Sequence, residues 1–160
     1  MARISDLGFA YQVFMKMYPY RRVDWGSGAV LRKPLKEARI ALVTTAGFFR
    51  PEQKPFDESI RGGDFSYREI VDDTPVASLR MGQTSDAFDR SGIEADPNLA
   101  LPLDRLHELV REGRIGESAP SHFSFMGSLS APGRLVSVTA PEAAARLRED
   151  RADGVLLTPV

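Results

Sequence analysis

The stretch SAPSHFSFMGS, residues 118–128, holds the densest group of side chains able to do chemistry. His122, Ser124 and Ser128 are interleaved with Phe123, Phe125 and Met126, so a strand there puts His122 and Ser124 on one face. Two readings follow. Either His122 lies at a cleft as a proton donor or the holder of a carboxylate, or it is a histidine hydrogen-bonded beside a turn. Thr44 and Thr45 close an apolar run and offer two hydroxyls to a small anion. In RGGD, residues 61–64, adjacent glycines make a tight turn that either approaches an anion or simply reverses the chain. His107 falls inside a helical stripe and reads as structural.

Several chemistries have no residues to run on. The chain has no cysteine, hence no disulfide, no thiolate nucleophile and no cysteine metal ligand. No helical or hairpin spacing pairs His107 with His122, so no metal site is expected. The acidic residues between 57 and 96 fit neither a calcium loop nor a carboxylate metal pair, and read as a solvated loop. There is no G-x-S-x-G elbow, no G-x-G-x-x-G and no Walker loop.

Composition narrows the class. With 42 % hydrophobic and 27 % charged residues over 160 positions, the chain has the balance of one globular domain. Its 21 basic and 22 acidic residues leave no basic excess to release counterions from a phosphate backbone, so no nucleic-acid partner is expected. Arg3, Asp6 and Lys16 interrupt the N-terminal segment, and no run approaches the roughly 18 apolar residues of a membrane span. A soluble cytoplasmic protein with no membrane partner is the expectation.

The elements that must position these residues read as follows. Residues 1–37 form an aromatic-rich helix, from Ile4 to Tyr18 with Ser5 as N-cap and Pro19 as stop, and then a linker. Residues 38–160 form the α/β domain. ARIALVTTAG, 38–47, is a buried strand ending at a carboxyl edge. Residues 48–100 are a long irregular insertion, whose FSYREI and ASLRMG segments suggest short strands, with a hairpin as one arrangement. LPLDRLHELVREGRIG, 101–116, is a helix with Leu103, Leu106, Leu109 and Val110 on one stripe and Gly113 as its stop. A short strand is expected near 122–126, then a helix opened by a Thr139/Glu142 capping box with Pro141, then the strand VLLTPV. That grammar predicts a parallel, Rossmann- or flavodoxin-like three-layer sheet, incomplete at its C-terminus.

Five segments in order, ARIALVTTAG, PFDESIRGGDFSYREI, DPNLALPLDRLHELVREGRIG, HFSFMG and TAPEAAARLREDRADGVLLTPV, resemble the selenoprotein B family of glycine/sarcosine/betaine reductases and D-proline reductase. The likeness covers residues 38–160 and is greatest to the short, D-proline-reductase-like type. The resemblance implies an oxidoreductase of amino-acid catabolism that reductively cleaves a carbon–nitrogen bond. A selenolate or thiolate attacks an amino acid held on the pyruvoyl group of a partner subunit.

In that family the strand matching VLLTPV runs into a selenocysteine or cysteine at the start of a helix, where the helix dipole favours the anion. The nucleophile is therefore expected immediately after Val160, with the chain truncated by a selenocysteine codon read as a stop and inactive alone. The resemblance places Thr44, Thr45, His122, Ser124 and Thr158 around the substrate, with Arg61 and Asp64, or Arg68, on its carboxylate or amine. A homo-oligomer is expected. The competing expectation is a non-catalytic α/β module that binds a small carboxylate or another subunit.

Overall fold

The computed structural model describes residues 8–17, 29–82 and 90–160. The chain divides into two units, Met1–Val30 and Leu31–Val160. In the first, α1 spans Phe9–Met17. The expected helix residues 4–7 and 18, linker residues 21–28 and Phe88 of the insertion lie outside the described residues.

The second unit is built around β1, Arg39–Thr44, whose Ala41, Leu42 and Thr44 are fully buried. On one side β1 pairs in parallel with β5, Glu117–Ser118, at Arg39 and Ile40, and with β6, Ser121–Phe125, at Val43 and Thr44. On its other side β7, Gly154–Thr158, runs parallel along residues 40–44. β3, Tyr67–Val71, completes the sheet by pairing with β6. The sheet is therefore a mixed α/β sheet and not wholly parallel: β3 runs antiparallel. The insertion explains the reversal. A parallel partner needs a crossover of a dozen or more residues that returns to the same edge, whereas this segment loops out and comes back from the opposite end.

The two segments expected as a hairpin go to different places. Tyr67–Val71 joins the main sheet, and β4, Arg80–Met81, pairs antiparallel with β2, Phe48–Phe49, in a ribbon of its own. Two short pieces follow, α2 at Ser91–Ala95 and a single turn at Pro97–Leu99.

Helices cover both faces. α3, Leu103–Arg111, sets Leu103 and Leu106 against Ile40, Leu42 and Ile70. Gly113 then stops it at φ +68°, the left-handed position that favours glycine. On the other face α4, Ala140–Glu149, sets Ala143 and Leu147 against Ala41, Phe123 and Phe125. The capping box does not form. Helical turns begin at Gly133 and pass through a wide π-turn at Leu135–Thr139 before α4, so Thr139 is already helical. Its hydroxyl donates instead to the Phe65 carbonyl at 2.7 Å. Among the described residues no helix is long and apolar enough to cross a membrane.

Phe123 is the hub of the α4 face, fully buried with the Tyr67 ring edge-on at 5.4 Å. Phe123→Ala should cost about 3–5 kcal/mol, read as a lower urea midpoint with an unchanged slope.

Candidate functional site

β1, β6 and β7 end together at one carboxyl edge, and the register aligns four polar residues across it. Arg68 of β3 lies opposite Ser124 of β6, Ser124 opposite Thr44 of β1, and Thr44 opposite Thr158 of β7. Alternation puts this row on the α3 face, one step beyond Ile70, His122, Leu42 and Leu156. Thr44 donates to the Thr158 carbonyl at 3.2 Å and accepts from the Ala46 N–H at 3.2 Å. Thr158 donates to the Ala100 carbonyl at 2.7 Å. The Ser124 hydroxyl is fully buried and finds no hydrogen-bond partner among the described residues. An unsatisfied buried hydroxyl costs free energy, so in that row Ser124 is the group with capacity to spare.

Arg68 is occupied by its own loop. It donates to the carbonyls of Lys54, Tyr67 and Pro55 and to Ser66 at 2.7–3.0 Å, lies 3.8 Å from the Asp64 carboxylate, and stacks over Phe56. Arg61 sits exposed in the turn before it.

Beside the row, on the α4 side, a cavity of about 310 Å³ opens between the ends of β1 and β6. The connection leaving β1 packs α3 on one face of the sheet, and the connection leaving β6 packs α4 on the other. That is the topological switch point, where open α/β sheets leave a crevice for ligands. Phe125, Met126, Leu129, Pro132, Leu135 and Ala140 form apolar walls, with Thr45 and Ser128 among the lining residues. The Thr45 hydroxyl also accepts from the Val160 N–H at 2.9 Å. Ser128 stands at φ +58°, an uncommon conformation for a residue with a side chain.

The RGGD turn holds this wall in place, a role that sequence reading missed. The Gly62 carbonyl accepts from the N–H groups of Ser130 and Ala131 at 3.1 and 3.2 Å. A Cβ on Gly63 would stand 2.3 Å from the Leu129 side chain, and Gly63 sits at φ +95°. The signal was the glycine pair itself, and what it approaches is a second loop.

His122 belongs to a different constellation, facing the amino-terminal end of the sheet. Its Nδ1 accepts from the Leu42 N–H at 3.0 Å, and its Nε2 lies 3.0 Å from Asp72 Oδ1. Between β5 and β6 the partner strand is interrupted at Pro120, and the imidazole supplies the acceptor that Leu42 needs. Accepting at Nδ1 leaves the ring proton on Nε2, aimed at the carboxylate. Asp72 Oδ1 also takes His107 Nε2 at 2.8 Å and the Ser118 hydroxyl at 2.5 Å. Burial pushes the Asp72 carboxyl up, but the hydrogen bonds from His122, Ser118 and His107 outweigh it and hold the group well below the usual carboxylate range. The cluster explains His107 too: it ties α3 to the end of β3. Among the described residues no group of three or more histidine, aspartate or glutamate side chains could hold a metal ion.

A family model described as glycine/sarcosine/betaine reductase selenoprotein B matches residues 4–160. The chain belongs to the selenoprotein B family. It is 35 % identical over 126 residues to D-proline reductase subunit gamma of Acetoanaerobium sticklandii, covering 79 % of this chain and 50 % of that protein. It is 32 % identical over 148 residues to the betaine reductase complex component B subunit beta of Peptoclostridium acidaminophilum, covering 91 % of this chain and 33 % of that protein. A sarcosine reductase component B subunit beta of the same organism is 27 % identical over 126 residues, which is 79 % of this chain and 29 % of that protein. The chain thus spans half the length of the first of these curated relatives and about a third of the other two. No solved structure matches.

The Asp72 cluster makes a pH prediction for this family member. A carboxyl depressed by folding adds stability above its unfolded value of 3.8, and loses it as pH falls through the acid range below that value. Asp72→Asn should therefore lower the urea midpoint at pH 7, with the gap to the parent chain closing below about pH 4. A gap constant from pH 7 to pH 3 would show that the carboxylate charge contributes nothing.

Proposed function

We propose that this selenoprotein B chain is the substrate-holding part of a reductase that cleaves the carbon–nitrogen bond of an amino acid. The observation that carries the reading is the cavity at the switch point between β1 and β6, in a family whose named members are amino-acid reductases. The whole protein's activity is inferred, since the chain spans only part of those relatives. A selenolate or thiolate brought to this edge supplies the attack on carbon that expels the amino nitrogen. The chain holds no cysteine, so that nucleophile comes from outside these 160 residues.

What these residues do is bind and orient. Thr45 holds Val160 at the cavity wall, its hydroxyl accepting from the Val160 N–H and donating to the Val160 carbonyl, and Ser124 offers an uncommitted hydroxyl in the row beside it. Thr44 and Thr158 clamp the ends of β1 and β7 to each other, which fixes the lip where the substrate sits. His122 acts as a positioning residue through the Leu42 backbone, and Arg68 through the loop it anchors. Arg61, exposed in its turn, is free to meet a carboxylate arriving from solvent. The partner implied is a pyruvoyl-containing subunit that reaches the same edge, in the cytoplasm.

A subunit-contact role has its own support. Val155, Leu156 and Leu157 of β7 are 42–67 % exposed on a strand paired along one edge only among the described residues. Parallel strands are ordinarily covered on both faces, so this edge suits another subunit or a second copy of the chain.

The test is recovery of the tagged chain with its partners from its own cells, followed by assay of dithiol-dependent loss of amino acids. Appearance of the deaminated product supports the reading, and no cleavage of any amino acid overturns it. Thr45→Val in that assembly removes the bonds that hold Val160 at the cavity and should lower kcat/KM by about three- to tenfold, the worth of one hydrogen bond.

A further inference from the structure

β3 is the outermost strand on its side of the sheet, with β6 as its one paired neighbour among the described residues. Such an edge presents a row of unpaired backbone groups on which another chain can add a strand. The phase of the ladder fixes which groups these are. Asp72 donates its N–H to the Pro120 carbonyl at 3.0 Å, which makes theirs a hydrogen-bonded pair. Antiparallel pairs alternate, so Arg68 and Ile70 turn their backbone groups to β6, while Tyr67, Glu69 and Val71 turn theirs outward.

All three outward carbonyls are already taken from within the chain. The Tyr67 carbonyl accepts from the Arg68 guanidinium at 2.9 Å, the Glu69 carbonyl from the Gln53 side-chain amide at 2.8 Å, and the Val71 carbonyl from the Thr74 N–H at 3.0 Å. Two of these donors belong to one arrangement. Gln53 lies in the segment 50–55, and Arg68 is tied to the same segment by donating to the carbonyls of Lys54 and Pro55 at 2.7 and 3.0 Å. The segment runs along the edge against the direction of β3, with Gln53 meeting Glu69 and Pro55 meeting Arg68.

It lies where a further strand would lie, yet it cannot pair as one. Pro51 and Pro55 have no N–H to give a ladder, and the Gln53 N–H is spent on the Arg50 carbonyl at 2.9 Å. Exposed Glu52 and Lys54 add charge to its outer side. Proline and charge at an edge are the features that discourage strand addition. Side chains fill the acceptors here, so the edge is satisfied without extending the sheet.

We infer that residues 50–55, together with Arg68, are a guard over the edge of β3 that keeps it from pairing with β3 of a second copy of this chain. Uncovered, the outward carbonyls and N–H groups of Tyr67, Glu69 and Val71 in one copy are complementary to those of another.

The test compares the full chain with two variants by sedimentation velocity over a concentration series, with hydrogen exchange read residue by residue. Gln53→Ala removes the donor to the Glu69 carbonyl. Arg68→Lys keeps the charge but loses the fork that bonds the carbonyls of Lys54, Pro55 and Tyr67. Each variant should self-associate about fivefold more tightly than the parent, the worth of one hydrogen bond. Exchange at the Tyr67, Glu69 and Val71 N–H groups should slow as it does so. An unchanged association constant in either folded variant, or slowed exchange confined to other residues, overturns the inference.

The parent chain supplies a second measurement that stands even if neither variant folds. Raising its concentration should leave exchange at Tyr67, Glu69 and Val71 unchanged, whatever becomes protected elsewhere. Slowing at those three amides would show that the edge already pairs between copies, and the guard would be no guard.

Discussion

The register of β1 between its neighbours is the constraint from which the rest follows. Ala41, Leu42 and Thr44 are fully buried, so every backbone group of that strand needs a partner inside the protein. β5, β6 and β7 supply most of them, and the His122 ring supplies the one that the break at Pro120 leaves open. A slip of one residue would turn Thr44 to the α4 face and Val43 to the α3 face, and would destroy both cores together. The same register sets Arg68, Ser124, Thr44 and Thr158 in one row and brings Thr45 to the cavity. Site geometry and core packing are therefore one decision, not two.

The two ends of the sheet divide the polar residues by task. At the amino-terminal end Asp72 gathers His107, Ser118 and His122, joining α3, β5 and β6 to the end of β3. Both ring nitrogens of His122 are engaged and its side chain is buried, which makes it a structural pin for the strand. At the carboxyl end the Ser124 hydroxyl finds no partner among the described residues and a cavity opens beside it.

The insertion between β1 and α3 is the part whose role changes most once folded. Its acidic residues are not all idle solvation: Asp72 organises the histidines, and Asp64 accepts from the N–H groups of Asp57 and Ser66 and from the Ser66 hydroxyl. Arg68 and the glycine pair complete a scaffold that leans on the 129–131 loop. A segment with short apolar runs thus acquires order through hydrogen bonds to backbone together with the buried Phe48, Ile70, Val76 and Ile93 and a small cluster of Phe49, Phe56 and Met126.

The sequence by itself determined the elements whose signal is local. The apolar run of β1, the Leu103–Leu106 stripe of α3 with its glycine stop, the alternation in SHFSF and the family motifs from 38 to 160 are all legible in order and type. They are legible because burial on one face or both imposes a period on neighbouring residues. Only the tertiary structure decided what depends on residues far apart in the chain. It reversed β3, separated the expected hairpin, led into the last helix with turns from Gly133, and joined His122 to Asp72 and the Leu42 N–H. Strand direction, helix entry and the partner of a buried imidazole are settled by which distant backbone groups need satisfying. No local period records that.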